Sequence, residues 1–370
     1  MEKQNLLFYQ IFVRNYSQSG TFNQIKENLD HLQDLGVDVI YFTPIHPIGI
    51  KRRKGTWGSP YAVRDYFAIS PDLGTLDELK DLIQNIHKKG MKIILDMVFN
   101  HTAFDNPLQL THPEYYYHRD GKFANKVGDW TDIIDLETAR EDTQDYLLSV
   151  LKFWCSHGID GFRFDVASLV HISFFKKARE ALGRDVIFFA ESVSPGSFNE
   201  LRENNIPVAS DRELSQYFDY LYNYNYFHDF IDFVEGKKPI ETFINYINSD
   251  DIRTFRVNCL ENHDVDRIAS HVDNDTLLNI IEFSFMLKGD MFLYMNQEYG
   301  DKHKPNLFEK DPIKKINNTD LLSKIKEMVR FKKEFGDIEY QNIEIIDIDT
   351  FKLTVKSKNN TFIKEYKLRK

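Results

Sequence analysis

The polar and apolar positions of this chain repeat one unit along most of its length. An opening strand is predicted over Leu6–Val13, close behind the first Met, so no leader or N-terminal module is expected. Thr21 with Gln24 has the spacing of a capping box before Ile25, Leu29, Leu32 and Leu35. Gly36 then stops that helix, and Val37–Thr43 reads as a buried strand. The same order returns where Thr75 and Glu78 precede Leu76, Leu79, Leu82, Ile83 and Ile86, with Gly90 as the stop and MKIILDMVF as a near-continuous apolar strand. A third unit opens at Thr138 and Glu141, carries Tyr146, Leu147, Val150, Leu151 and Trp154 on one face, and ends at Gly158 ahead of the strand GIDGFRFDV.

Further units follow. Helices are predicted near Ser173–Leu182, after Pro195, up to about Asn248, near Leu277–Leu287 and near Leu321–Phe335. Strands are predicted at Asp185–Glu191, Tyr217–Tyr222, Thr254–Leu260 and Met291–Met295. Eight strands alternating with helices fit an α/β fold of the (β/α)8 TIM-barrel type better than an open sheet. The rhythm breaks twice. Residues 102–135 lack periodicity and are rich in Tyr, His, Asp and Gly, as expected of a short inserted loop domain after strand three. From Asp337 the chain alternates with period two, as expected of a small, truncated C-terminal antiparallel β segment. The predicted organisation is therefore a catalytic barrel over 1–101 and 136–336, an insertion over 102–135, and a β segment over 337–370.

Composition narrows the partners. A formal net charge of −10 over 370 residues argues against nucleic acid or an anionic membrane surface, since either attracts a basic face. No apolar run approaches a membrane span of about 20 residues. Only two cysteines, Cys155 and Cys259, are present, too few for a disulfide scaffold, and a cytoplasmic setting is expected.

In a barrel the C-terminal strand ends face the active site. Polar residues at those ends are Asp96, Asn100 and His101 after strand three, Arg163 and Asp165 at strand four, Glu191 after strand five, and Asn262, His263 and Asp264 after strand seven. Asp165 and Glu191 lie one βα unit apart, so they project from neighbouring strands. Such a pair suits work on a glycosidic bond, where one carboxyl is ionised and the other protonated. Arg163 is expected to favour the ionised form of Asp165, and the apolar setting of IFFAES to keep Glu191 protonated. No His-x-x-x-His or Glu-x-x-His spacing supports a transition-metal site. Aromatics are dense around the same ends, at Tyr9, Trp57, Tyr61, Tyr66, Trp130 and the run Tyr217–Tyr226. Aromatic faces and carboxylates together suit a saccharide.

Four of these stretches resemble, in order, the signature regions of the α-amylase family, glycoside hydrolase family 13. They are DMVFNH at Asp96–His101, GFRFDVA at Gly161–Ala167, AES around Glu191, and ENHD at Glu261–Asp264. GSPYAVRDYFAISPDLGT is similar to that family's substrate-side loop. The resemblance implies Asp165 as nucleophile, Glu191 as general acid/base and Asp264 as the carboxylate that holds sugar hydroxyls in the transition state. It implies substrate binding by Tyr61, His101, Arg163 and His263, and structural support of the third-strand loop by Asp96 and Asn100. Many calcium-binding members carry Lys-His a few positions beyond the nucleophile, where this chain has Ser168 and Leu169. No cofactor is therefore expected to be required, with Asn100 the one candidate calcium ligand. Val166 after the nucleophile is similar to cyclomaltodextrinase, neopullulanase and oligo-1,6-glucosidase types. The implied activity is retaining cleavage of α-1,4 bonds in maltodextrins and maltooligosaccharides. A 4-α-glucanotransferase or α-1,6-glucosidase is the alternative, and a non-catalytic barrel binding protein would have lost one of the three carboxylates.

Overall fold

The computed structural model describes residues 5–128, 130–252 and 255–368. Eight parallel strands close a barrel in sequence order: β1 (Leu7–Ile11), β2 (Val39–Phe42), β3 (Lys92–Met97), β4 (Gly161–Phe164), β5 (Ile187–Ala190), β6 (Tyr220–Tyr222), β7 (Arg256–Asn258) and β8 (Asp290–Tyr294), with β8 returning to β1. The (β/α)8 expectation holds. Every strand residue of β1, β2, β4 and β5 is buried, because one face fills the barrel and the other meets the helices. Thr254, where the seventh strand was expected to begin, lies outside the described residues.

Two helix starts depart from expectation. The helix over Leu76–Lys88 has the full capping box, with the Thr75 hydroxyl accepting from Glu78 N and the Glu78 carboxylate accepting from Thr75 N. Thr21 makes no such bond, and the Gln24 side-chain amide donates to Glu27; the first helix breaks at Asn28 into Phe22–Glu27 and Leu29–Leu35. Thr138 caps nothing either. Its hydroxyl accepts from His171 N at 2.9 Å, and Arg140 precedes the helix Glu141–Ser156 without a side-chain cap.

Register positions the chemistry. In the pairing of β3 with β4, Asp96 stands beside Arg163, and in the pairing of β4 with β5, Arg163 stands beside Phe189. Gly161 makes the β4–β5 approach feasible, since a Cβ there would sit 2.4 Å from Ile187 O. The segment after β3 is held to the barrel by a short ribbon, His101–Ala103 against Ile133–Asp135. The tail forms an antiparallel sheet of β9 (Tyr340–Ile345), β10 (Thr350–Lys356) and β11 (Thr361–Lys367). Phe351 and Tyr366 from that sheet pack on Phe283, with ring centroids 5.0 and 5.5 Å away. Among the described residues no helix is long and apolar enough to cross a membrane.

Candidate active site

The floor of the site is built around Arg163, a fully buried cation at the end of β4. Its Nη1 donates to both oxygens of Asp96, at 2.7 and 2.9 Å, and to Asp165 Oδ1 at 3.1 Å. Its Nη2 lies 2.8 Å from Glu191 Oε2. One guanidinium therefore meets three carboxylates from three adjacent strand ends. Burial works against its charge, but Asp96 and Glu191 more than offset this and hold its pKa well above the ordinary value.

The three carboxylates differ in their remaining partners. Asp96 Oδ2 also accepts from the hydroxyls of Tyr41 (2.6 Å) and Tyr61 (2.8 Å), so its charge is saturated by donors in the barrel interior. Both phenols are buried beside that carboxylate, and burial pushes their pKa values far up, so they remain donors. Asp165 and Glu191 instead face the cleft. Burial, then the negative charge of Glu191, pushes Asp165 well above the usual carboxylate range. Burial likewise raises Glu191, against the opposing effect of Arg163. Arg163 does favour the ionised form of Asp165, as expected, but burial and the charge of Glu191 outweigh it. The cation is shared, and the two carboxyls titrate as a unit in which the first ionisation opposes the second.

Backbone geometry fixes this pair. Val166, directly after Asp165, has φ +42° and ψ +46°, a left-handed conformation that β-branched residues rarely adopt. That twist aims its amide at Glu191, with Val166 N donating to Oε2 at 2.9 Å, while Ala167 N donates to Glu191 O at 2.7 Å. The strand-four turn thereby orients the carboxyl of strand five.

Across the cleft stands Asp264, whose side chain is 45% exposed. Burial works against its charge, yet His263, Arg163 and Lys304 hold it below the usual carboxylate range. His263 Nε2 lies 3.1 Å from Asp264 Oδ2, and His263 Nδ1 lies 2.8 Å from Gln10 Nε2. The His263 ring stacks on Tyr61 with centroids 4.9 Å apart and planes 13° apart. His101 lines the same cleft, and burial lowers its pKa to about 4, so it is neutral at pH 7. The cleft measures about 1280 Å³ and so exceeds the usual pocket for one drug-sized ligand.

All nine residues singled out in the sequence gather at this end of the barrel. Asn100 lies beneath the cleft, where its Nδ2 reaches Asp135 Oδ1 at 3.3 Å and its Oδ1 is buried without a partner. Asp135 Oδ2 is taken by Lys126 N at 2.7 Å. Calcium takes six to eight oxygens. Two side-chain oxygens fall short of that number by themselves, so a calcium ion here would draw its remaining ligands from backbone carbonyls and water.

Of the expected aromatics, Tyr61 and Trp130 line the cleft. Tyr9 and Tyr66 do not: Tyr9 donates to Glu298 and Tyr66 to Val98 O, both inside the core. In the run Tyr217–Tyr226, the side chains of Tyr224 and Tyr226 lie outside the described residues. Sequence reasoning missed Tyr41 and Gln10, which support Asp96 and His263, because inside VIYF and LFYQI they read as ordinary strand positions. It also missed Lys54 and Asp132, whose 2.8 Å ion pair joins the loop after β2 to the insertion along the cleft wall. The inward register of Tyr41 and Gln10 at strand C-termini was the available signal.

Comparison with known proteins follows this geometry. The model of the alpha-amylase catalytic domain matches residues 9–186. An alpha-amylase from Lactobacillus plantarum of known structure is 35% identical and superposes with a TM-score of 0.91, over 97% of this chain and 87% of that one. A cyclomaltodextrinase from a Bacillus species is 26% identical over 76% of this chain and 52% of its own length. An intracellular maltogenic amylase from Bacillus subtilis is 26% identical over 85% of this chain and 55% of its own length. The chain spans about half the length of these curated relatives. On its barrel, its ordered signature residues and the Lactobacillus match, the chain belongs to the α-amylase family.

Proposed function

We propose that this chain is a retaining glycoside hydrolase acting on the α-1,4-glucosidic bonds of maltodextrins and maltooligosaccharides. The observation that carries the reading is the single guanidinium shared by Asp165 and Glu191 at adjacent strand ends, with Asp264 across an open cleft. Burial raises both carboxyls, and the negative charge of Glu191 opposes ionisation of Asp165. In the productive form Glu191 holds a proton and Asp165 is ionised. Glu191 gives its proton to the glycosidic oxygen as the C1–O bond breaks, and Asp165 attacks C1 to form a glycosyl ester. Water then attacks C1, its proton passes to Glu191, and the ester electron pair returns to Asp165.

Asp264, His263 and His101 are assigned to the hydroxyls of the sugar whose bond is cleaved, and Tyr61 to its apolar face. Asp96 and Asn100 are assigned to support. No cofactor is required in this reading. Soluble oligosaccharides in the cytoplasm are the proposed substrate and setting, supported by the acidic charge and by the likeness to intracellular and maltodextrin-acting relatives.

The test is product chromatography on maltoheptaose, with isomaltose alongside and with a sugar acceptor added or omitted. Shorter maltooligosaccharides from maltoheptaose, with isomaltose left intact, are expected. Turnover of isomaltose alone would place the chain with the α-1,6-specific reading, and turnover of neither would refute catalysis on glucans.

A further inference from the structure

The three carboxylates that face the cleft are not anchored alike. Asp165 and Glu191 meet Arg163 at their own strand ends, and Val166 N holds Glu191 Oε2. Asp264 stands further from its strand, in the connecting segment that follows Asn258 at the end of β7. Among the described residues, His263 is the one side chain in ion-pair range of its carboxylate. The place of Asp264 therefore depends on how the backbone of that segment is held.

A buried ion pair pins the two feet of the segment. Arg267 Nη1 donates to Glu261 Oε1 at 2.7 Å, Ile268 N donates to Glu261 Oε2 at 2.7 Å, and both side chains of the pair are buried. The same guanidinium reaches across to β8 and the segment after it, with Nη2 donating to Met295 O and Nε to His303 O, both at 2.9 Å. Between the feet, Asn262 Oδ1 accepts from Asp264 N at 2.9 Å, an Asx turn that holds the amide of Asp264 from within its own loop. Its carbonyl is held from outside. Lys304 Nζ donates to Asp264 O at 2.6 Å.

Lys304 projects from a fixed frame. The residue before it, His303, gives its carbonyl to Arg267, donates its amide to Asp301 Oδ1 at 2.9 Å, and sets its ring Nε2 2.9 Å from Asp311 Oδ1. The second partner of the amine, Asp266 Oδ1, lies 3.5 Å away on an exposed side chain, and such a surface pair contributes little by itself. Burial opposes the charge of Asp264, while His263, Arg163 and then Lys304 favour it.

We propose that Lys304 is a positioning residue for the cleavage reaction: from the segment after β8 it fixes the backbone of Asp264, so that this carboxylate stands where the sugar hydroxyls meet it in the transition state. The role rests on the proposed assignment of Asp264 to those hydroxyls. Misplacing a group that orients substrate by about 1 Å costs on the order of 10²-fold in rate. The Lys304 side chain is 36% exposed, so its replacement loosens Asp264 and leaves the barrel core as it is.

The experiment is a functional double-mutant cycle on maltoheptaose with Lys304→Met, Asp264→Asn and the two combined, each checked for folding by its urea midpoint. Lys304→Met alone is expected to lower kcat by about tenfold with KM changed by less than about threefold, because the contact it supports is made in the transition state. Lys304→Arg, which keeps a donor and the charge, is expected to stay within about threefold of the wild type. In the Asp264→Asn background, adding Lys304→Met is expected to change kcat/KM by less than about twofold, since the group it positions is gone. Equal losses from Lys304→Met in both backgrounds would overturn the inference, because the lysine would then act on something other than Asp264. A Lys304→Met enzyme with wild-type kcat, or a Lys304→Arg enzyme as impaired as Lys304→Met, would overturn it as well. Should Lys304→Met not fold, Lys304→Gln takes its place in the same cycle. A wild type that leaves maltoheptaose intact refutes the proposed function itself, and wild-type kcat in Asp264→Asn refutes the assignment of that carboxylate. Loss of activity at Asp264 with none at Lys304 removes only the positioning role.

Discussion

Asp96 and Asp165 sit at the ends of neighbouring strands and bind the same nitrogen of Arg163, yet their surroundings give them different work. Asp96 is saturated: two contacts from Arg163 and one hydroxyl from each of Tyr41 and Tyr61 surround a carboxylate with no exposure to solvent. Asp165 receives Arg163 on one oxygen and looks into the cleft beside Glu191. A carboxylate whose acceptor sites are filled by fixed donors is a poor nucleophile. One left partly unfilled in a site of low polarity is reactive. Strand register makes the distinction, since the β3–β4 pairing sets Asp96 level with Arg163, whereas Asp165 lies just past the last residue of β4.

The largest expected effect separates the two aspartates by activity. Asp165→Asn is predicted to lower kcat/KM by at least about 10³-fold while the unfolding midpoint in urea stays near that of the wild type. Near-normal turnover would remove the nucleophile role. Asp96→Asn is expected to act on the fold as well, costing about 3–5 kcal/mol because it removes the charge partner of a buried guanidinium and its two phenols. A urea midpoint as high as that of Asp165→Asn would show that the saturated network contributes little.

A smaller effect sharpens the charge coupling. The negative charge of Glu191 raises the pKa of Asp165, so removing it in Glu191→Gln lets Asp165 ionise at lower pH. On an aryl maltoside with an activated leaving group, which needs no acid, the acidic limb of kcat/KM is predicted to move to lower pH than in the wild type. A limb that stays in place or moves up would mean that the two carboxyls do not sense each other. The smallest effect expected is none. A chelator should leave activity largely unchanged, given the two-oxygen site at Asn100 and Asp135. Loss of activity restored by added calcium would show that further oxygens complete a calcium site there.

The chain carried much of this in plain form. Apolar runs separated by periodic helices encode a parallel barrel because its strands are buried on both faces, and MKIILDMVF followed by NH places its polar residues at the mouth. Less legible were features set by register rather than by residue type. Tyr41 looks like one more apolar residue in VIYF until the barrel closes and its hydroxyl meets Asp96. Thr21 and Thr138 have capping spacing, but neither caps its helix, and the Thr138 hydroxyl accepts from the His171 amide instead. The left-handed turn at Val166 runs against the preference of its side chain, and no local pattern announces it. The sharing of Arg163 between Asp165 and Glu191 is equally a matter of three strands meeting.

The central claim is that Asp165 and Glu191 act in turn on one anomeric carbon, and its most direct test is proton NMR of the first-formed product from maltoheptaose, recorded before mutarotation. Double displacement predicts the α-anomer of the new reducing end as the initial species, with the β-anomer appearing only as solution equilibrium is reached. Initial release of the β-anomer would contradict it, because a single inversion leaves no role for a glycosyl ester on Asp165.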